Sequence, residues 1–141
     1  MSASTHRLYH RLQLAAHHLR KTADRAMGEA VGLTVAQTSV LSVLAHEGQS
    51  SQRAVARKLG LNESAVTPMV GRLIGLDLVI RTQDEVDARA WRLELSENGR
   101  DILKRAKRAF APVNAVVDGE LSDAEIRALV GYLDRLSNAL E

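Results

Sequence analysis

The chain has 141 residues, 45% of them hydrophobic but only 3% aromatic, and 19 Lys and Arg against 17 Asp and Glu leave a net charge of +2. That length fits one domain with an aliphatic core of packed helices, since Tyr9, Trp91, Phe110 and Tyr132 are the whole aromatic set, and no apolar run is long enough to cross a bilayer. The absence of cysteine excludes a disulfide framework, thiolate metal sites and thiol redox sensing, while the near-balanced charge argues against a nonspecific nucleic-acid coat, so any nucleic-acid contact has to be local. The opening MSASTHRLYHRL turns amphipathic at once and lacks the apolar stretch of a secretion signal, which predicts a cytoplasmic protein without membrane contact.

Leu8, Leu12, Ala15, Leu19, Ala23 and Ala26 recur at helical spacing and predict a first helix from Thr5 to Met27, ended by Gly28 and Gly32. Thr34 and Gln37 have capping-box spacing at the start of a second helix, with Val40, Leu41, Val43 and Leu44 as its stripe and His46-Glu47-Gly48 as its close. Ser50 is the expected cap of a short third helix with Ala54, Val55 and Leu59 inward, followed by a turn at Gly60. Asn62 is the expected cap of a fourth helix, with Leu61 stapled onto Val66. Leu78-Val79-Ile80 and Trp91–Leu95 read as strands, the second with Trp91, Leu93 and Leu95 on one side, and the charged RTQDEVDARA between them suits a hairpin tip. Ser96 opens a fifth helix to about Val117, kinked at Pro112 and broken at Gly119. Ser122 and Glu125 form a second capping box, Leu121 can staple onto Ile126, and Ile126, Leu129, Leu133, Leu136 and Leu140 continue as a stripe.

The order helix, turn, helix, strand, loop, strand over Ser50–Gly99 is that of a winged helix-turn-helix, a unit that presents one helix and one hairpin tip to a DNA duplex. The fold class expected is mainly α with a small β-wing. The winged unit spans 34–99, and helical regions at 5–33 and 100–141 flank it within a single domain. The terminal helices are long and amphipathic with no obvious partner in so small a unit. Pairing with a second copy predicts a two-fold homodimer, and packing on each other within a monomer is the alternative.

Two constellations carry the functional reading. On the fourth helix, Ser64 and Thr67 share a face near the N-terminus, followed by Pro68, Met69 and Arg72. Short hydroxyls and free amides there suit base edges and phosphates, and Pro68 suggests a slight bend fitted to a groove. Ordinary surface residues and a tolerated proline fit the same letters. At the hairpin, Arg89 can enter a narrow minor groove, Asp87 can hold its guanidinium, and Arg81 can complete the network. The plainer reading is a solvated loop with a weak surface ion pair, contributing roughly 0–1 kcal/mol.

The stretches LTVAQTSVLSVLAHEG, AVARKLGLNESAVTPMVGRL, LVIR and DARAWRLELSENG, followed by a C-terminal helix, resemble the MarR family of bacterial transcription regulators over nearly the whole chain. The most specific part is Asp87-Ala88-Arg89 ahead of Leu95-Ser96 and Gly99. The resemblance implies that Arg89 enters the minor groove braced by Asp87, that the fourth helix lies in the major groove of a pseudo-palindromic operator, and that the terminal helices interlock in a triangular dimer. Where the family commonly has glycine, this chain has Asp77, which tolerates a left-handed helix end better than most residues, so the turn should survive and the wing angle is the feature at stake.

The resemblance also implies a repressor released by a small, often aromatic, effector bound between the dimerisation helices and the winged unit. The first, second and fifth helices would line that crevice, with His17, Val40, Leu44 and Phe110 as candidate walls; helical apolar residues serve equally as plain core. His6, His10 and His17 share a helix face, and a pair four apart can chelate, so a metal-responsive regulator is one alternative. No cysteine helps and the third histidine is two turns away, so surface or seam positions are the plainer reading. No metal site and no cofactor are assigned. A winged-helix protein-interaction module without an operator is the second alternative, though it would not need Asp87 and Arg89 poised at a tip. An enzyme is not expected, because no nucleophile, acid–base set or phosphate loop appears at useful spacing.

Overall fold

The computed structural model describes residues 3–141; Met1 and Ser2, at the head of the segment read for a leader, lie outside them. Seven helices and a two-stranded sheet follow one another as α1 (Ala3–Val31), α2 (Val35–Glu47), α3 (Gln52–Leu59), α4 (Glu63–Gly75), β1 (Val79–Gln83), β2 (Trp91–Leu95), α5 (Glu97–Ala109), α6 (Ala111–Glu120) and α7 (Asp123–Leu140). No single helix among the described residues is long and apolar enough to cross a membrane.

Local caps decide most boundaries. Thr34 and Gln37 exchange side-chain and backbone bonds at the start of α2, and Ser122 and Glu125 do the same for α7, as their spacing predicts. α1 runs through Gly28 and stops instead at Gly32, whose φ of +69° breaks the ladder. Gly119 likewise lies inside α6, which ends at Glu120. The expected kink at Pro112 is a division into two helices. Proline has no N–H for the Arg108 carbonyl, so α5 ends at Ala109 and Pro112 sits in the first turn of α6, where it is tolerated.

Ser51, not Ser50, caps α3, its hydroxyl accepting from the Ala54 N–H at 3.1 Å. Ser50 is withdrawn into the core, where it exchanges both backbone hydrogen bonds with Leu93, at 3.0 and 2.8 Å. It thereby adds a third, one-residue rung to the sheet. The inward residues of α3 are Val55 and Ala56, with Ala54 and Leu59 half-buried. Asn62 occupies the N-cap of α4 but makes no side-chain cap bond, and Leu61 stays exposed rather than closing fully over Val66.

One core joins all the elements of the winged unit. Leu33, Val40, Leu41, Leu44, Val55, Val66, Val70, Leu73, Val79, Leu93, Leu95 and Leu103 are buried together. The strands pair antiparallel, Val79 opposite Leu95 and Gln83 opposite Trp91. β1 therefore runs two residues beyond Arg81, and the tip is shorter than the RTQDEVDARA loop suggested. The side-by-side alternation of Trp91, Leu93 and Leu95 holds, but Trp91 is 47% exposed because the strand outruns the core.

The terminal helices do not bury each other within one chain. α7 contributes no buried residue, and α1 contributes only Ala23 and Met27. α1 does pack within the chain on α5 and α6, with Arg105 donating to the Ala30 carbonyl at 2.8 Å, and it is α7 that finds no such cover among the described residues.

Candidate nucleic-acid interface

α4 is anchored by Val66, Val70 and Leu73, spaced so that one side is fully buried. Ser64, Thr67, Pro68 and Arg72 consequently stand on its exposed side. The helix runs unbroken through Pro68. Part of the reason lies one residue earlier: the Thr67 hydroxyl donates to the Glu63 carbonyl at 2.9 Å, within the turn whose amide bond Pro68 cannot complete. The same oxygen accepts from Gln52 Nε2 at 2.7 Å. Thr67 thus ties α3 to α4, and its hydroxyl is committed inside the protein. Ser64 and Arg72 have no side-chain partner among the described residues. Glu63, an acid at the N-terminus of the helix, is met by Arg53 at 3.4 Å.

The base of the hairpin is set by Asp77. It lies at φ +59°, the one non-glycine residue with positive φ among the described residues. The Leu78 N–H bonds the Leu73 carbonyl at 2.9 Å and the Asp77 N–H bonds that of Ile74 at 3.0 Å, a complete Schellman closure without glycine. The expected survival of this turn is what the structure has. Ser96 locks it from the other side: its hydroxyl donates to the Asp77 carbonyl at 2.6 Å, and its oxygen accepts from the Gly99 N–H at 2.9 Å. The wing root is therefore bonded directly to the first turn of α5.

At the tip, Asp87 and Arg89 are placed together but not joined as expected. Asp87 Oδ1 accepts the Arg89 backbone N–H at 3.0 Å, an Asx turn, and the guanidinium makes no ion pair among the described residues. A short carboxylate two residues upstream reaches the backbone amide more readily than a long flexible side chain. Nor does Arg81 complete a network with them; its guanidinium lies over the Trp91 ring, 4.7 Å from the centroid.

Sequence reasoning missed the group that organises the tip. Asp84 accepts from Arg92 Nε at 2.8 Å, from the Val86 N–H at 2.8 Å and from the Asp87 N–H at 3.3 Å, and its side chain is only 14% exposed. The signal was available once the strands were in register, because Asp84 and Arg92 then flank the last rung. The Val86 amide, then Arg92 and the Asp87 amide, hold its carboxyl below the usual carboxylate range. A folded-state value below the unfolded one means that the tip keeps its full order at neutral pH and loses it only as the pH falls through the folded value. Asp84→Ala is expected to speed amide exchange at Val86 and Asp87 while β2 stays protected. Unchanged exchange at the tip would contradict this role.

The residues expected to wall an effector site separate. Phe110 lines a groove of about 340 Å³ between α2, α5 and α6, together with Val35, Thr38, Ser39, Ser42 and Asn114. Leu44 instead borders a second groove of about 340 Å³ beside β2 and α5, with Leu95, Arg100 and Lys104, while Val40 is a core residue, 0% exposed. His17 is exposed on α1, next to His18, with ring centroids 5.9 Å apart, and it does not line this groove. Among the described residues no group of three or more His, Cys, Asp or Glu is placed to hold a metal ion.

Comparison with known proteins agrees with this geometry. A family model described as the MarR family matches residues 31–90. A protein named as a regulator of the hcr operon in Thauera aromatica is 30% identical over 105 residues, which cover 74% of this chain but only 63% of that protein's length. The PcaV transcriptional regulator of Streptomyces coelicolor, solved with its natural ligand, superimposes with a TM-score of 0.81 at 28% identity, covering 100% of this chain and 98% of that one. CouR, a transcriptional repressor solved on a 23-mer DNA duplex, does so with a TM-score of 0.87 at 27% identity, over 92% of each chain.

Proposed function

Because the chain belongs to the MarR family of DNA-binding transcription regulators, which are not enzymes, we propose that it is a homodimeric repressor of a pseudo-palindromic operator in the bacterial cytoplasm. The observation that carries this reading is the pair of projections on the winged unit. One is the exposed side of α4 with Ser64, Pro68 and Arg72; the other is a hairpin tip whose Arg89 guanidinium has no partner among the described residues. An unpaired arginine on an ordered tip suits a narrow minor groove, where the potential is most negative. Ser64 and Arg72 suit base edges and phosphates of the adjoining major groove, with Thr67 offering its methyl group rather than its hydroxyl. Asp87 serves the contact by shaping the backbone that aims Arg89.

The dimer is supported by what the single chain leaves uncovered. Leu129, Leu133, Leu136 and Leu140 on α7 and Leu8, Leu14 and Leu19 on α1 remain exposed. A small effector, aromatic in keeping with Phe110, would enter the groove between α2, α5 and α6. By favouring a dimer whose two α4 helices are wrongly spaced, it would release the operator.

Arg89→Ala is expected to weaken operator binding by about 1–3 kcal/mol and to lower its salt dependence, with the dimer intact. The measurement is a salt titration of affinity on a duplex selected from a random pool. Equal affinity of variant and wild type at every salt concentration would remove the groove-insertion role.

A further inference from the structure

Arg81 and Trp91 form a unit on the wing that the minor-groove role of Arg89 does not use. In the hairpin register Arg81 stands opposite Leu93, and Gln83 stands opposite Trp91. Arg81 and Trp91 are therefore diagonal neighbours on one face of the sheet, within reach of a long side chain and a large ring. That face is buried at Leu93 and Leu95 and emerges from the core at Trp91. Gln83, which could compete for the ring, is turned to the Ala88 carbonyl instead. The Arg81 guanidinium lies over the indole at 4.7 Å.

The three wing arginines are thus held in three different ways. Arg92 is taken by Asp84 at 2.8 Å, on the opposite face. Arg89 is held only through its backbone. Arg81 is stacked, with no carboxylate pair among the described residues. The indole covers one side of the Arg81 guanidinium, whose N–H groups have no hydrogen-bond or ion-pair partner among the described residues, and that planar fork matches a phosphate oxygen pair. A stacked arginine also has fewer rotamers left to lose when it docks.

We infer that Trp91 is a positioning residue for DNA binding: its indole holds the Arg81 guanidinium edge-outward to take a backbone phosphate beside the groove that Arg89 enters. This deepens the DNA-binding reading and rests on it. Trp91 itself touches no base. Arg81 supplies a sequence-independent contact that sets the register of the wing on the duplex.

Trp91 is the sole tryptophan of the chain, so its fluorescence reports the stack directly. In the free protein, Arg81→Ala is expected to change the Trp91 emission, while Arg89→Ala is not. Identical emission in wild type and Arg81→Ala would overturn the stack without bearing on whether the protein binds DNA. On the duplex selected from a random pool, Trp91→Leu is expected to weaken binding roughly 3- to 10-fold. Trp91→Phe, which keeps a ring, should retain most of the affinity. In an Arg81→Ala background, Trp91→Leu should cost nothing further. Full additivity of the two losses would overturn the proposal, because Trp91 would then act apart from Arg81. Equal losses in Trp91→Phe and Trp91→Leu would also overturn it. Selection of no duplex by the wild type would instead bring down the DNA-binding reading itself.

Discussion

Gly99→Ala is expected to lower the unfolding midpoint by roughly 10 °C, through a loss of about 3 kcal/mol. A Cβ at Gly99 would stand 2.2 Å from the Leu78 carbonyl oxygen and 3.0 Å from Leu95 Cδ1. The oxygen belongs to the backbone and already accepts the Ser96 N–H at 3.1 Å, so it cannot swing aside like a side chain. Relief requires the first turn of α5 to move away from the wing root, which also strains the Ser96 bonds to Asp77 and Gly99. Operator affinity should therefore fall together with stability. The control is Gly119→Ala, whose Cβ would meet nothing within 4 Å and which lies inside α6. There alanine should be neutral or stabilising by about 0.5–1 kcal/mol. Equal midpoints for Gly99→Ala and wild type would show that the root is not the close contact described.

Truncation after Leu121 is the second large effect, and it should act on assembly rather than on folding. α7 contributes no buried residue, so its removal opens no cavity in the winged core. What is lost is the surface offered by Leu129, Val130, Tyr132, Leu133, Leu136 and Leu140. Burying a Leu-sized side chain completely is worth about 1.5–3 kcal/mol, and these are already partly covered, so each is expected to contribute about 1 kcal/mol to the proposed dimer. Two copies of the stripe suffice to decide the oligomeric state. The truncated protein should keep a cooperative unfolding transition, run as a monomer in light scattering, and lose most of its operator affinity with its second half-site. A stable dimer without α7 would place the seam elsewhere.

Features written in neighbouring residues were legible in the sequence. Both capping boxes and the bounds of β2 depend on side chains within a few positions of one another, whereas the left-handed turn at Asp77 was legible only through the resemblance to the MarR family. Asp77 is instructive, because a departure from glycine was visible and so was the reason it is tolerated. Features set by distant partners were not legible. Ser50 looks like a helix cap until Leu93 comes alongside it. Val40 looks like a candidate pocket wall until the shared core closes over it, and Leu44 borders a groove other than the one that holds Phe110. The Asp84–Arg92 pair needs the hairpin register, and the exposure of Trp91 needs the point where the core ends. Gly28 and Gly119 show the converse error, in which a residue able to break a helix stays within it, since neither takes a positive φ. In the site, the residue types at the tip were readable, but their bonds were not. Asp87 accepts the backbone N–H of Arg89, and Arg81 lies over the Trp91 ring rather than beside Asp87.

The central claim is that two copies of this chain read one operator with paired α4 helices and Arg89 tips. Chemical footprinting of the selected duplex, run in parallel with wild type and Arg89→Ala, tests it most directly. Two major-groove patches about one helical turn apart are expected, each flanked by minor-groove protection that Arg89→Ala removes. A single asymmetric patch, or minor-groove protection that persists in Arg89→Ala, would contradict it.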